Sequence, residues 1–265
     1  MFVLGLRLAY GAYKIKTFTS IGRYFFDQLL KKWALLIIMS MLIYSSLSFF
    51  VSDPLSRIWN INNGQDCPNY MWQMWFLFRN LQLDCRVCLP WLSLISSELL
   101  FTILAAPFII IFRVSKKLGY SLLALVIATS IVVSFAILDS ENIFFEPTKL
   151  MNASKEFVIN YQGNAFVRMG AFFFGLTLGL IAIEGLEKLD DGKTAEYELA
   201  KKVKRSSKVQ SLMQIIGLAL MVWTYLSIIP YLDTKNKDQT PYVYIVLAPL
   251  FFIVGLSLLT LPSFW

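Results

Sequence analysis

The sequence predicts an all-α fold: a polytopic integral membrane bundle of about six transmembrane helices, with a partial or interfacial helix at the N-terminus. Two observations carry this prediction. Of the 265 residues, 57% are hydrophobic and 15% are charged, and the mean hydropathy is +0.61, whereas a soluble domain carries about 25% charged residues. Six apolar runs are also each close to the ~20 residues that cross a hydrocarbon core as a helix.

These runs divide the chain into two parts. The predicted spans lie at 33–51, 92–112, 119–138, 165–183, 209–231 and 242–261. They form a membrane domain at 33–265, with a long loop at 52–91 and a polar loop at 184–208. Residues 1–32 precede it as a basic segment. Within that segment the apolar stretch 2–13 is too short to cross a membrane, so an interfacial helix and the remnant of a longer span are both open.

Lys and Arg residues concentrate on one side of the predicted spans. Residues 1–32 carry six of them against one Asp, and the 184–208 loop ends in a basic cluster. By contrast, the loop at 52–91 has no net charge, and the loop at 139–164 is net acidic. The positive-inside rule places both termini on the cytosolic side, or the matrix side of a mitochondrion. Topology thus accounts for the formal charge of +7, and we expect no nucleic-acid partner.

The sequence contains no histidine and three cysteines, Cys67, Cys85 and Cys88. Without an imidazole, the chain itself cannot supply His-based acid–base catalysis, a His-activated nucleophile or an imidazole metal ligand. The cysteines could form one disulfide and leave one free thiol. Cys85 and Cys88 have the spacing of half a zinc site, but no second pair accompanies them. We therefore expect no metal and no cofactor.

Two ionisable residues lie inside predicted spans. Glu98 is about seven residues into the second span, and Arg168 is a few residues into the fourth, which enters from the same side. Because a charge inside a membrane is costly and normally faces a partner or a cavity, we expect Glu98 and Arg168 to form an ion pair. The pair would be a latch between helices, which we favour, or the polar floor of a substrate cavity. It could also coordinate a phospholipid.

Gly175 and Gly179 form a G-x-x-x-G motif in the fourth predicted span. Residues without a side chain let two helices approach closely, so the motif predicts a helix-packing surface. Taken alone the signal is weak, because small residues are frequent in membrane spans.

One stretch of the chain resembles the signature of a known family. The run at 88–101, Cys-Leu-Pro-Trp-Leu-Ser-Leu-Ile-Ser-Ser-Glu-Leu-Leu-Phe, resembles the C-x-x-W-x-W-Y-L-x-x-D/E-M-Q-F signature of the acyltransferase-3 family, in its nose-resistant-to-fluoxetine branch. The segment at 168–179 resembles the R-x-x-P-Y-x-x-G-x-x-x-G span of that branch. Further similar stretches occur in the family's order upstream, so the resemblance covers about residues 1–180.

The resemblance implies a fold of about ten spans that transfers acyl groups from a cytosolic donor, by chemistry that rests on a histidine in the first span. We expect this chain to begin after that span, and no histidine replaces the missing one. Leu99 and Leu100 stand where the signature has Met-Gln, and Ser93 stands at its second Trp. Losing a general base costs roughly 10²–10⁴-fold in rate, so the resemblance implies a pseudoenzyme.

These departures from the family pattern predict a non-catalytic role. We expect a structural accessory subunit of a larger membrane complex, which contacts other membrane protein subunits and binds membrane phospholipid. A respiratory assembly of the mitochondrial inner membrane is favoured, with an endomembrane or the plasma membrane as the alternative location. The alternative function is a membrane O-acyltransferase or lipid-handling protein that acts on an acyl group derived from acyl-CoA.

Overall fold

The computed structural model describes residues 1–13, 15, 18–49, 75–76, 92–140, 164–187, 203, 205–227 and 242–264. Throughout these ranges all regular structure is helical, which confirms the predicted all-α class. Cys67, Cys85 and Cys88 lie outside the described residues, as do most residues of the 52–91 and 184–208 loops. The predictions made for the cysteines therefore stay predictions.

Seven helices lie within the described ranges. They are α1 (Phe2–Tyr13), α2 (Phe18–Phe49), α3 (Leu92–Val114), α4 (Lys116–Ser140), α5 (Ala165–Glu187), α6 (Ser207–Leu226) and α7 (Tyr242–Phe264). Their order along the chain follows the predicted succession of spans, with α1 added at the start.

Four of these helices contain a stretch that is long and apolar enough to cross a membrane. The stretches are Ile95–Val114, Lys116–Asp139, Ala165–Glu184 and Ser207–Leu226, on α3, α4, α5 and α6. They coincide with the predicted spans that begin at residues 92, 119, 165 and 209. The apolar stretch of α7, Val246–Pro262, is shorter and lies within the predicted span 242–261. The helices therefore form an integral membrane bundle.

The first predicted span, 33–51, lies on the second half of a longer helix. α2 already begins at Phe18 and continues through Lys31 and Lys32 without a break. No proline interrupts this segment, and Leu, Lys and Ala are good helix formers. The boundary that the sequence suggests at residue 32 therefore falls inside a helix, because helix propensity continues on both sides of the point where the apolar run begins.

Trp75, in the 52–91 loop, lies against α2. Its backbone oxygen accepts a hydrogen bond from Trp33 Nε1 at 2.9 Å, and its own Nε1 donates to Ser40 Oγ at 2.8 Å. Trp33 and Ser40 are seven residues apart on α2, so Trp75 lies along about two turns of that helix. This loop therefore returns to the bundle at residue 75.

Helices α3, α4 and α5 form an antiparallel series. Ser115 alone separates α3 from α4. The ring of Tyr120 on α4 lies 5.4 Å from that of Phe112 on α3, so α4 turns back along α3. Near one end of the α4–α5 pair, Ser130 Oγ donates to the backbone oxygen of Val167 at 3.0 Å. At the other end, Lys116 Nζ lies 2.7 Å from Glu184 Oε2. Because α4 runs against both neighbours, α3 and α5 run in the same direction.

The core between α3 and α5 consists of phenylalanine rings. The ring centroids of Phe101 and Phe172 are 5.1 Å apart, and those of Phe108 and Phe173 are 5.0 Å apart. All four side chains are buried. Aromatic pairs at such distances contribute about 0.5–1.5 kcal/mol beyond the burial of their area. These rings fix the relative position of α3 and α5.

α1 packs along α5 in a parallel orientation. Phe2 lies opposite Gly175, and Ala9 lies opposite Gly179. A Cβ at Gly175 would collide with the backbone oxygen of Phe2, and one at Gly179 would lie 2.7 Å from the Cβ of Ala9. Gly5 of α1 faces the α5 backbone in the same way. The two backbones therefore approach as closely as small-residue packing permits.

α6 and α7 form an outer hairpin joined by a second glycine contact. A Cβ at Gly217 would lie 2.6 Å from the backbone oxygen of Gly255, and one at Gly255 would lie 2.8 Å from that of Gly217. Only 11% of the apolar stretch of α6 is buried inside the bundle, against 56% for α5. α6 therefore presents most of its apolar surface outwards.

Candidate functional site

Three charged side chains occupy one level of the bundle, near the ends of α3 and α5 that the charge distribution predicts to be non-cytosolic. Glu98 lies on the second turn of α3, Lys32 lies on α2 and Arg168 lies on the first turn of α5. At a rise of 1.5 Å per residue, Glu98 is about 9 Å and Arg168 about 5 Å along its helix. We call Lys32, Glu98 and Arg168 the charged cluster.

The carboxylate of Glu98 forms an ion pair with Lys32. Lys32 Nζ lies 2.5 Å from Glu98 Oε1, and the two side chains are 21% and 20% exposed. Lys32 Nζ also donates to Thr102 Oγ1 at 3.2 Å, and this hydroxyl donates to the backbone oxygen of Glu98 at 2.7 Å. Since both charges are largely withdrawn from solvent, their attraction is stronger than that of an exposed pair. The network joins α2 to α3.

The predicted ion pair between Glu98 and Arg168 is corrected by this geometry. Among the described residues, the Glu98 carboxylate pairs with Lys32, whereas Arg168 Nη1 is buried and has no hydrogen-bond partner. Lys32 was not predicted as the partner because it borders an apolar run, where lysines ordinarily mark topology. Its place opposite Glu98 depends on how α2 packs against α3.

Arg168 nevertheless lies at the level of Glu98. Phe101 of α3 contacts Phe172 of α5, and the two charged residues each lie about one turn before these rings. Because α3 and α5 run in the same direction, this offset places Glu98 and Arg168 side by side in depth. The amino group of Met1 lies close enough to both to interact electrostatically with each. Met1 therefore lies at the end of the bundle that the charge distribution predicts to be non-cytosolic, which corrects the prediction that both termini are cytosolic. The structure thus brings the two predicted residues together without pairing them.

Arg113 organises the opposite end of the bundle. Its guanidinium donates to the backbone oxygens of Ile15 at 2.8 Å, Ala12 at 3.1 Å and Tyr13 at 3.4 Å. The last carbonyls of a helix have no partner within that helix, so Arg113 caps the C-terminal end of α1. An arginine at the end of an apolar run ordinarily marks topology, and no local motif distinguishes such a residue from one that caps another helix.

Metal binding finds no support in the described part of the chain, where no group of three His, Cys, Asp or Glu side chains could hold an ion. Comparison with protein-family models, with curated proteins and with solved structures finds no match. The helices and the length of their apolar stretches define a helical integral membrane protein. Its relation to the acyltransferase-3 family rests on the sequence resemblance and stays a hypothesis.

Proposed function

We propose that this chain is a non-catalytic, acyltransferase-3-like membrane protein that acts as a structural accessory subunit of a larger membrane complex. The observation that carries this proposal is the Lys32–Glu98 ion pair. Glu98 stands where the resembled signature has its acidic residue, and its carboxylate is engaged by a neighbouring helix. A pair of this kind can fix the register of two helices, which is a structural task.

The side chains near the ion pair support the same proposal. The 265 residues contain no histidine, so an imidazole base for acyl transfer would have to come from another chain or another segment. Arg168 and Arg113 carry a permanent charge and have no acceptor atom, so neither can take a proton from an acyl acceptor. The two arginines thus suit binding and packing, and the Glu98 carboxylate is engaged in its ion pair with Lys32.

The outer surface of α6 supports a role as a subunit. Ile215 and Trp223 are 63% and 57% exposed in the isolated chain, and most of this helix is uncovered by the bundle. In a membrane such a surface packs against lipid or against a helix of another protein. We favour a partner subunit for part of it. A respiratory assembly of the mitochondrial inner membrane is the complex we propose, with endomembranes or the plasma membrane as the alternative.

Migration of the native protein tests the subunit role directly. The chain, tagged at its chromosomal locus, would be extracted in a mild detergent and separated by native electrophoresis. We expect it to co-migrate with a species much larger than its own 30.4 kDa and to enrich the same membrane proteins in each preparation. Migration alone, with no stable partner, would refute the proposal.

A photo-activated cross-linker on α6 tests whether another protein covers this helix. Placed at the exposed Ile215, it should form adducts with a second protein in native membranes. Placed at Leu176, which is fully buried on α5, it should form none between chains and serves as the matched control. Adducts with lipid alone at Ile215 would remove α6 as the subunit contact.

A lipid-handling protein or membrane O-acyltransferase is the second candidate. The observation in its favour is Arg168, whose buried Nη1 has no hydrogen-bond partner and which lies beside Glu98 in depth. Incubation of the purified chain with labelled acyl-CoA and several acceptors would detect transfer. Loss of that transfer in Glu98→Gln would support the second candidate, whereas the absence of transfer with every acceptor would count against it.

A further inference from the structure

Arg168 lies on a defined face of α5. Residues at i, i+4, i+7 and i+11 share one side of a helix, and this spacing relates Arg168 to Phe172, Gly175 and Gly179. The last three residues all contact α1. Gly175 and Gly179 face the α1 backbone, and the backbone oxygen of Phe172 lies against Gly5. Arg168 therefore continues the α1-facing side of α5 one turn closer to the predicted non-cytosolic surface.

The charged cluster carries one more positive than negative charge. Lys32 and Glu98 neutralise each other at 2.5 Å, so the guanidinium of Arg168 is not needed to balance the carboxylate. Its Nη1 is buried and has no hydrogen-bond partner. A cation within a membrane span normally faces a partner or a cavity, because its desolvation is costly. The partner required here is an anion with oxygen acceptors.

We propose that Arg168 binds the phosphate group of an anionic phospholipid headgroup from the leaflet at which α5 begins. Arg168 is about 5 Å along its helix, near the level at which lipid headgroups meet the hydrocarbon core. The planar guanidinium presents paired N–H donors that match two phosphate oxygens.

The site does not depend on the subunit role, because a headgroup can bind to the isolated chain. It also requires no acyl transfer. A phosphate monoester or inorganic phosphate shares the recognised chemistry, so the experiment must separate a lipid from a soluble source. Zwitterionic lipid provides the phosphate without net negative charge and is the third comparison.

Native mass spectrometry of the purified full chain in a neutral detergent tests the site. Phosphatidylglycerol, phosphatidylcholine and inorganic phosphate would each be titrated onto delipidated protein. We expect phosphatidylglycerol to bind most tightly, and Arg168→Gln to weaken it by about tenfold, as loss of a charge-assisted hydrogen bond predicts. Arg23→Gln removes an exposed arginine of α2 and is the matched control, which should bind like the unmodified chain.

Thermal unfolding of the same variants separates a binding defect from a folding defect. Without lipid, Arg168→Gln should unfold at or above the temperature of the unmodified chain, because it removes a cation whose Nη1 lacks a partner. With phosphatidylglycerol, only chains that keep Arg168 should gain stability, and Arg168→Lys should keep part of the gain. Equal phosphatidylglycerol binding by Arg168→Gln would overturn the proposal. An equal Arg168-dependent response to inorganic phosphate would overturn its assignment to lipid.

Discussion

Replacing Gly175 with alanine tests whether α1 and α5 pack as closely as described. A Cβ at this position would collide with the backbone oxygen of Phe2 and lie 2.9 Å from its carbonyl carbon. Both contacts are backbone atoms, so a rotating side chain cannot relieve them. The two helices must separate, and the contacts on either side of Gly175 weaken with them.

The magnitude follows from two opposing effects, and Gly22 separates them. A Cβ at Gly22 of α2 meets nothing within 4 Å, so Gly22→Ala changes helix propensity alone. That change favours alanine by about 0.8–1.0 kcal/mol at both positions, whereas overpacking at Gly175 costs about 1–3 kcal/mol. We expect Gly22→Ala to raise the free energy of unfolding by about 0.9 kcal/mol and Gly175→Ala to lower it by about 1 kcal/mol.

Unfolding in mixed micelles measures this difference. Both variants and the unmodified chain would be titrated with sodium dodecyl sulfate, with tryptophan fluorescence and helical circular dichroism as independent signals. Opposite shifts of the two transitions are the expected result. If both substitutions stabilised the protein, or if neither changed it, α1 would not lie against α5 as described, and the close contact at Gly175 would have to be abandoned.

Three further perturbations address single contacts. Gly179→Ala should destabilise the chain, because the new Cβ would lie 2.7 Å from that of Ala9. Ala9→Gly in the same molecule should restore part of the lost stability. Additive effects of the two substitutions in the same detergent titration would contradict this. A double-mutant cycle of Lys32→Met and Glu98→Gln should give a coupling free energy of about 1–2 kcal/mol, and independent effects would exclude the ion pair. Arg113→Gln should accelerate amide exchange in α1 by roughly tenfold or more, since charged hydrogen bonds are lost; hydrogen-exchange mass spectrometry measures this against α6, where no change is expected.

The spans were predictable because they depend on local composition. A helix of adequate length and hydropathy crosses a bilayer whatever its neighbours are, so α3, α4, α5 and α6 could be located from apolar runs alone. The full length of α2 could not be located in this way. Its first half continues through charged residues such as Lys31, where helix propensity extends the helix but hydropathy gives no signal.

The packing of α1 has a signal in its own sequence. Gly5, Ala9 and Ala12 are spaced at i, i+4 and i+7, and all three are buried, so they form a stripe of small residues on one face. That stripe, together with Gly175 and Gly179, indicates a close helix pair. Sequence could suggest two complementary small faces, but their pairing in a parallel orientation depends on the whole bundle. The structure shows this pairing, with α1 packed along α5 within the bundle.

The partner of Glu98 was predicted wrongly for a related reason. Sequence gives the depth of a residue along its own helix, and by depth alone Arg168 was a good partner. It does not give the rotation of each helix about its axis. Lys32 reaches Glu98 because α2 packs antiparallel along α3, and the shared contact with Thr102 fixes the ammonium group at that place.

The position of Lys32 determines what the remaining charge can do. Lys32 on α2 and Arg168 on α5 both lie at the level of Glu98, and one carboxylate can neutralise only one of these two cations. Since Glu98 is engaged in the α2–α3 contact, the guanidinium on α5 keeps a buried Nη1 without a partner. One helix pair thus holds a neutral structural contact, while a separate helix carries the cation for which we propose an anionic ligand. Binding a headgroup in this way requires no proton transfer, so a chain without histidine can hold lipid inside an assembly, and the subunit role and the headgroup site are compatible.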